Sequence, residues 1–482
     1  MLFYLISRCK EDDSAKICSY DNQSSNFGVN MTEQRFVHAQ WSSRLAFILA
    51  ASGSAIGLGN IWKFPYLAGD NGGGAFVLVY LLSVVAIGIP IMIAETMLGR
   101  RGKQSPINTM RSLAEDAKAS PLWRYAGWLG VVSGFLILSY YSVIAGWAMA
   151  YFFKINSALF EHIDAASSTR LFENFKASPE FLGIWHTFFM VATMFIVSRG
   201  VSGGLERLSR FMMPALLLML LVLDVYAMNS GGFGKGMAFL FNPDFSKLTG
   251  GGVLVALGQA FFSLGLGMGS IMVYGSYLPS DVSIARSSLF VIAADTLVAL
   301  LAGMAIFPLV FANGLSPSMG PGLIFETLPI AFGQMPGGWL FGMLFFALIF
   351  FAAITSSVAL IEPAVAFLSE NKGMDREKAC WFSGAACWFL GLGTVFSFNV
   401  WSDVKWFDKT IYEWVDMLTA EIMLPIGGVL VAVFAGWIMS RTDSESELKL
   451  QDPRHYQAWL ILVRYIAPLG VALVFLDAMG LI

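Results

Sequence analysis

Charge is what this sequence has little of. Asp, Glu, Lys and Arg make up 13% of its 482 residues, about half the share of an ordinary soluble domain. With a net charge of −3 and no basic tract, it carries no electrostatic footprint for a nucleic-acid partner. The four histidines, His38, His162, His186 and His455, are assigned here to loops and tails. They form no metal-binding pair and serve no nucleophile as a base, so an intramembrane enzyme has nothing to work with. The four cysteines, Cys9, Cys18, Cys380 and Cys387, match no zinc or redox spacing and read as small packing residues. The alternating ~10-residue segments of a membrane β-barrel are absent, and so is a pore-ring motif of a channel. The chain opens with six mostly apolar residues, too few for a signal-peptide core, and its first positive charge follows them. Residues 1–30 read as a disordered tail, with Met31 ahead of "TEQRFVHAQW" as a candidate natural start.

What the chain has instead is apolar length. Hydrophobic residues are 56% of the total and the mean hydropathy is +0.66. Runs such as "FVLVYLLSVVAIGIPIMIAETML" match the ~30 Å of a bilayer core. Hydropathy and turn residues predict eleven spans, at 41–68, 75–98, 123–154, 181–198, 208–228, 253–278, 284–313, 337–371, 376–398, 411–440 and 455–481. The stretch "GLSPSMGPGLIFETLPIAFGQMPGG" between the seventh and eighth reads as a loop with a short helix. The chain is thus an all-α polytopic membrane protein in the lipid bilayer. Lys and Arg gather in alternate loops, for example Arg100, Arg101, Lys103, Arg111, Lys118 and Arg124 after the second span. By the positive-inside rule the N-terminus is cytoplasmic, and an odd number of spans puts the C-terminus outside.

Two spans are interrupted. The first holds "SGSAIGLGN" and the sixth "GQAFFSLGLGMGS". They are the opening members of two five-helix sets, spans 1–5 and 6–10. Glycine costs about 1 kcal/mol in a helix interior, and bared backbone groups in hydrocarbon cost more. Such breaks at matching places in two halves mark a transporter's binding site. A helix that stops in mid-membrane exposes N–H groups suited to a carboxylate and carbonyls suited to a cation. Together the two breaks describe a site for a zwitterion with a sodium ion beside it.

"WSSRLAFILAASGSAIGLGNIWKFPYLAGDNGGGAFVLVY", "GQAFFSLGLGMGSIMVYGSY" and "FAAITSSVALIEP" resemble the first, sixth and eighth helices of the neurotransmitter:sodium symporter family, in order, from Trp41 to the end of the tenth span. Eleven spans resemble the family's bacterial branch of amino-acid transporters. The resemblance implies a LeuT-type fold: a 5+5 inverted repeat with discontinuous helices 1 and 6, plus one extra helix. It divides the chain into an N-terminal cytoplasmic tail (1–40), a transporter core (41–440), and a loop with helix 11 (441–482). It also implies sodium-coupled amino-acid import by alternating access across the inner membrane.

The resemblance carries residues with it. One sodium ion would be held by Ala55, Asn60, Ser263 and Asp295 with the substrate carboxylate, and a second by Gly53, Ile56, Ala352, Thr355 and Ser356. The carboxylate would meet Leu58, Gly59 and Tyr141, and the ammonium Ala55, Phe262, Ser263 and Gly265. Ile137, Phe262, Met268 and Leu360 would surround the side chain. For Phe262, a core aromatic and a lid are equally good readings. Gly265 and Met268 stand where other members have Ser and Phe, which favours a hydrophobic or aromatic substrate. Asp295 aligns with Asn in much of the family, and a fixed carboxylate there implies chloride-independent transport. A proton carried on Asp295, giving proton-coupled transport on the same broad fold, is the alternative.

The gates depart from the family pattern. Lys63 faces Asp416 outside, where the family usually has Arg. Inside, His38 stands three residues before Trp41 in place of Arg, with Glu370 as its expected partner and Tyr277 in support. Glu95 fits a family position, whereas Asp224, Glu362 and Glu421 lie in spans without an assigned role.

Overall fold

In hydrocarbon a helix can satisfy every backbone group of an apolar stretch, and the fold follows that rule. The computed structural model describes residues 40–155, 160, 163–318 and 322–478. Among these, β pairing is limited to the isolated bridges Gly73–Pro243 and Trp406–Lys409. The membrane-crossing pieces are α1 (Arg44–Ala55), α2 (Gly59–Asp70), α3 (Gly74–Gly102), α4 (Pro121–Lys154), α5 (Pro179–Ser198), α6 (Val201–Met228), α7 (Gly250–Ser263), α8 (Ser270–Ser276), α9 (Ile284–Ala312), α10 (Gly338–Lys372), α11 (Arg376–Ser397), α12 (Ile411–Ile438) and α13 (Pro453–Leu473). Nine of these are long and apolar enough to cross a bilayer alone, and α1 with α2 makes a tenth crossing, bent by 50°. At 14 and 7 residues, α7 and α8 are too short to span singly at 1.5 Å per residue. Their combined stretch is the sixth span of the sequence reading.

Local chemistry starts the helices where the sequence turns polar. The Ser43 hydroxyl accepts the Ala46 N–H at 3.2 Å to cap α1, and the Thr249 hydroxyl accepts the Gly252 N–H at 3.0 Å to cap α7. The loop before α10 contains the short helix Leu328–Gln334, as the sequence suggests. Enclosure then sorts the helices. In α4 and α10 the most apolar stretch is 78% buried, against 33% in α6 and α13. The first pair therefore forms the centre and the second pair faces lipid. Phe181, Phe188 and Phe195 recur every seven residues on α5 and are exposed, an apolar stripe turned to the acyl chains.

One placement corrects the sequence reading. His186 does not sit in a loop: it lies within α5 and is fully buried. Its Nε2 is 3.1 Å from the Trp388 carbonyl, and its ring is parallel to the Trp388 ring. The histidine thus packs α5 against α11.

Candidate functional site

The first break begins where α1 ends. Ile56 takes an extended ψ of 106°, and the chain leaves the helical path at Ile56 and Gly57 before Leu58 returns to helical angles. The groups freed there find side chains. The Gly57 N–H donates to Asn60 Oδ1 at 3.1 Å, and the Leu58 N–H donates to the Tyr141 hydroxyl at 3.2 Å. Gly57 has no substitute, because a Cβ would lie 2.6 Å from Ser356 Oγ and 2.8 Å from the Tyr141 hydroxyl. The second break follows Ser263. Gly265, Gly267 and Gly269 have φ of 65°, 79° and 73°, the left-handed region that glycine enters without steric cost. Alternating such residues cannot propagate a right-handed helix. The Gly267 N–H donates to Glu95 Oε1 at 2.5 Å, so a buried carboxylate on α3 receives the backbone that the break exposes.

A narrow cavity lies between the two breaks. All ten residues that the resemblance assigns to substrate line it: Ala55, Leu58, Gly59, Ile137, Tyr141, Phe262, Ser263, Gly265, Met268 and Leu360. Ser54, Gly57, Ser270 and Ser356 complete the wall. Tyr141 accepts the Leu58 N–H, and its hydroxyl also has a proton to give to an acceptor such as a carboxylate.

Oxygen atoms converge beside the cavity at two places. Asp295 on α9 is fully buried. Its Oδ1 and its carbonyl accept from Asn60 Nδ2 at 2.8 and 3.1 Å, while Oδ2 has no hydrogen-bond donor among the described residues. An orphaned buried carboxylate oxygen is costly, and a hard cation satisfies it. Ser263, 3.3 Å from the Tyr80 hydroxyl, is the neighbouring hydroxyl of the first expected ion site, whereas Asn60 turns its amide nitrogen to Asp295 and its Oδ1 to the Gly57 N–H. At the second place Ser356 Oγ lies 3.3 Å from the Gly53 carbonyl and 3.1 Å from that of Ile56. Ser356 thus ties Gly53 to Ile56, while the Thr355 hydroxyl bonds back within its own helix to the Phe351 and Ala352 carbonyls, each at 3.0 Å; hydroxyls and carbonyls of this kind suit a hard cation.

A second narrow cavity shares Leu58, Gly59, Tyr141 and Phe262 with the first and is also lined by Lys63 and Asp416. Phe262 is the aromatic ring without a hydroxyl among the four shared residues. Lys63 Nζ sits 4.3 Å from the centroid of the Phe262 ring, a cation–π contact. Lys63 and Asp416 form no ion pair within 4.0 Å, so the two residues expected at the outer gate do not meet here and Lys63 lies against the Phe262 ring instead.

On the inner side His38 lies outside the described residues. Trp41 Nε1 donates to the Tyr274 carbonyl at 2.9 Å, and its N–H donates to the Tyr277 carbonyl at 3.0 Å, which joins the start of the first span to the end of α8. The contact expected between Glu370 and His38 therefore lies outside the described residues, among which Glu370 meets the start of another helix. Its oxygens accept the Ser105 N–H at 2.8 and 2.9 Å and Asn108 Nδ2 at 2.8 Å, capping the helix Pro106–Asp116. The carboxylate that meets Tyr277 is Glu362, through a 2.8 Å bond from the tyrosine hydroxyl. Glu362 is fully buried and is gripped by both Nη atoms of Arg376 at 2.8 and 2.6 Å. Sequence reasoning noticed Glu362 as a charge inside a span but not its partner, which lies beyond the turn between α10 and α11. Glu206, also missed, accepts the Ser42 N–H at 3.1 Å and pairs with Arg210 at 2.6 Å.

Comparison with known proteins agrees with this geometry. The family model described as the sodium:neurotransmitter symporter family matches residues 38–164 and 180–479. A Bacillus subtilis protein described as the uncharacterized sodium-dependent transporter YhdH is 38% identical over 455 residues, covering 94% of this chain and all of that one. A Drosophila melanogaster protein described as the sodium- and chloride-dependent GABA transporter ine is 27% identical over 376 residues, 68% of this chain and 39% of its own. Among solved structures, MhsT in complex with L-phenylalanine superposes with a TM-score of 0.85 at 42% identity, covering 91% of this chain and 99% of that one. With two discontinuous helices around one cavity and a family match over most of its length, this chain belongs to the sodium:neurotransmitter symporter family and is a sodium-dependent transporter of LeuT-like fold.

Proposed function

We propose that this transporter imports amino acids with hydrophobic or aromatic side chains by sodium symport and alternating access, without chloride. The observation that carries the reading is the cavity between the two helix breaks, which is lined by glycine backbone, by the hydroxyls of Tyr141 and Ser263, and by the apolar Ile137, Phe262, Met268 and Leu360. The substrate carboxylate lies against the N–H groups of Leu58 and Gly59 and the Tyr141 hydroxyl. The ammonium meets the carbonyls of Ala55, Phe262, Ser263 and Gly265. The side chain extends among Ile137, Phe262, Met268 and Leu360. Gly265 leaves the wall without a side chain, and Met268 adapts its shape. The family member MhsT, a complex with L-phenylalanine, supports an amino acid with a bulky side chain.

One sodium ion binds at Ala55, Asn60, Ser263 and Asp295, where the substrate carboxylate completes the shell. That shared contact is the coupling. A second binds at Gly53, Ile56, Ala352, Thr355 and Ser356. Two charges moving through 100 mV supply about 4.6 kcal/mol, and the zwitterion adds none. Asp295 provides the fixed negative charge that makes chloride dispensable. Phe262 with Lys63 and Asp416 closes the outer side, and Trp41, Tyr277 and the 38–41 segment close the inner. The protein lies in the inner membrane with its N-terminus in the cytoplasm and its C-terminus outside.

A binding screen of the twenty amino acids, with sodium and again with choline in its place at constant pH, tests this. Saturable, sodium-dependent binding of hydrophobic or aromatic amino acids is expected. Binding that ignores sodium but follows pH would sink it in favour of proton coupling.

A further inference from the structure

The inner end of α3 carries a guanidinium that substrate and ion binding do not use. The Arg100 side chain is 3% exposed, and a buried guanidinium needs its donors paired. Its Nη1 donates to the Val282 carbonyl at 2.6 Å, in the turn that follows α8. Its Nε donates to Glu447 Oε2 at 2.9 Å, and its Nη2 donates to the Glu447 carbonyl. One side chain therefore joins α3, the end of the α8 segment, and the short helix Arg441–Leu448 that connects α12 to α13. Two weaker ties run parallel. Arg101 Nη2 lies 2.6 Å from Asp443 Oδ1, and Lys449 Nζ donates to the Ser280 carbonyl at 3.2 Å.

The connector helix in turn grips α13, through a 2.7 Å bond between the Ser444 and Tyr456 hydroxyls. Trp459 Nε1 on α13 donates to the Pro90 carbonyl of α3 at 3.2 Å. The ring of contacts is closed: α3 to connector, connector to α13, α13 to α3. Beside Arg100, α3 meets α8 backbone to backbone, because a Cβ on Gly99 would lie 1.9 Å from the Met272 carbonyl. Surfaces that close have no side chains to repack and shift together or not at all. Among the described residues, no side-chain hydrogen bond or ion pair of 441–449 reaches α4, α5, α10 or α11.

We propose that Arg100 is a positioning residue of the transport cycle, a clasp that makes the connector helix and α13 travel with α3 and α8. The inner half of the site, which begins at Ser270 of α8, then opens only when this whole unit moves. The proposal rests on the alternating-access reading above.

The test uses purified full-length protein in proteoliposomes. Arg100→Gln and Glu447→Gln are each expected to lower the maximal uptake rate at least tenfold while sodium-dependent substrate affinity stays within threefold. Arg101→Gln, at a 27% exposed site with one close ion pair, stays within twofold on both. A cysteine at the buried Ser276 of α8, in a background with the native cysteines replaced, is expected to react at least fivefold faster with a membrane-permeant maleimide when Arg100 is changed. The proposal is overturned by an unchanged uptake rate in Arg100→Gln, by unchanged labelling, or by an Arg101→Gln effect as large as that of Arg100→Gln. If the unaltered protein shows no sodium-dependent binding, the proposed function fails, while the labelling still decides the clasp.

Discussion

Replacing Asp295 with Asn removes one negative charge from the first sodium site and changes little else. The side chains have the same shape. The acceptor that Asn60 Nδ2 reaches at 2.8 Å survives as the amide oxygen, and the change falls on Oδ2, which has no donor among the described residues. Its cost follows from Coulomb's law. Unit charges 4 Å apart interact by about 4 kcal/mol at an effective dielectric of 20, and the attraction grows at closer range. The penalty for burying the carboxylate opposes folding, not sodium binding, because Asp295 is fully buried in this structure. Burial also favours the protonated carboxyl, so sodium competes with a proton and collects only part of the attraction. An amide dipole returns part of it, which leaves a net loss of about 1.5–3 kcal/mol, or about 10–100-fold in sodium affinity at roughly 1.4 kcal/mol per decade. The assay is a sodium titration of substrate binding, in chloride and again in gluconate. The unaltered protein should give superimposable curves in the two anions. The variant should need about 10–100-fold more sodium. A variant that titrates like its parent, or a parent whose binding collapses in gluconate, would refute the reasoning.

Three further outcomes follow from contacts already described. Gly57→Ala places a methyl group 2.6 Å from Ser356 Oγ, and overpacking of this kind costs about 1–3 kcal/mol. Substrate affinity should fall about 5–100-fold while the folded protein elutes normally in size-exclusion chromatography, and unchanged affinity would remove Gly57 from the site. Ser356→Ala with Thr355→Ala leaves the Gly53, Ile56 and Ala352 carbonyls without hydroxyl partners and should flatten the cooperative sodium dependence of uptake; an unaltered Hill coefficient counts against a second ion there. Glu362→Gln leaves the Arg376 guanidinium opposite a neutral amide, and breaking a buried pair costs about 3–5 kcal/mol, reduced here because Arg376 is 27% exposed. A fall in the thermal midpoint of several degrees is expected in detergent, and none would mean that the pair contributes nothing to the inner closure.

How much of this could be read without coordinates depends on how far each interaction reaches along the chain. The positions of the helix breaks are a local matter. Gly53, Gly57 and Gly59 in the first span and Gly265, Gly267 and Gly269 in the sixth weaken a helix by their own backbone freedom, so "SGSAIGLGN" and "SLGLGMG" announce the unwound segments. Span length and lipid-facing stripes are likewise properties of adjacent residues. Partner choice among charges is not. Glu370 reads as an inner-gate acid, and only the fold shows that its carboxylate also caps Ser105, 265 residues away along the chain. Glu362 had no assigned role, and only the packing of α8, α10 and α11 brings Tyr277 and Arg376 to it. Arg100 counted merely as one positive charge among several in a cytoplasmic loop. Its value as a clasp exists only because the fold carries Glu447 across 347 positions to meet it. Composition and glycine spacing by themselves determined that the chain crosses the membrane repeatedly and where two crossings stop being helical. The tertiary structure decided which oxygens gather around a cation and which ion pairs tie the moving pieces, because an orphaned charge selects its partner by distance and burial in space.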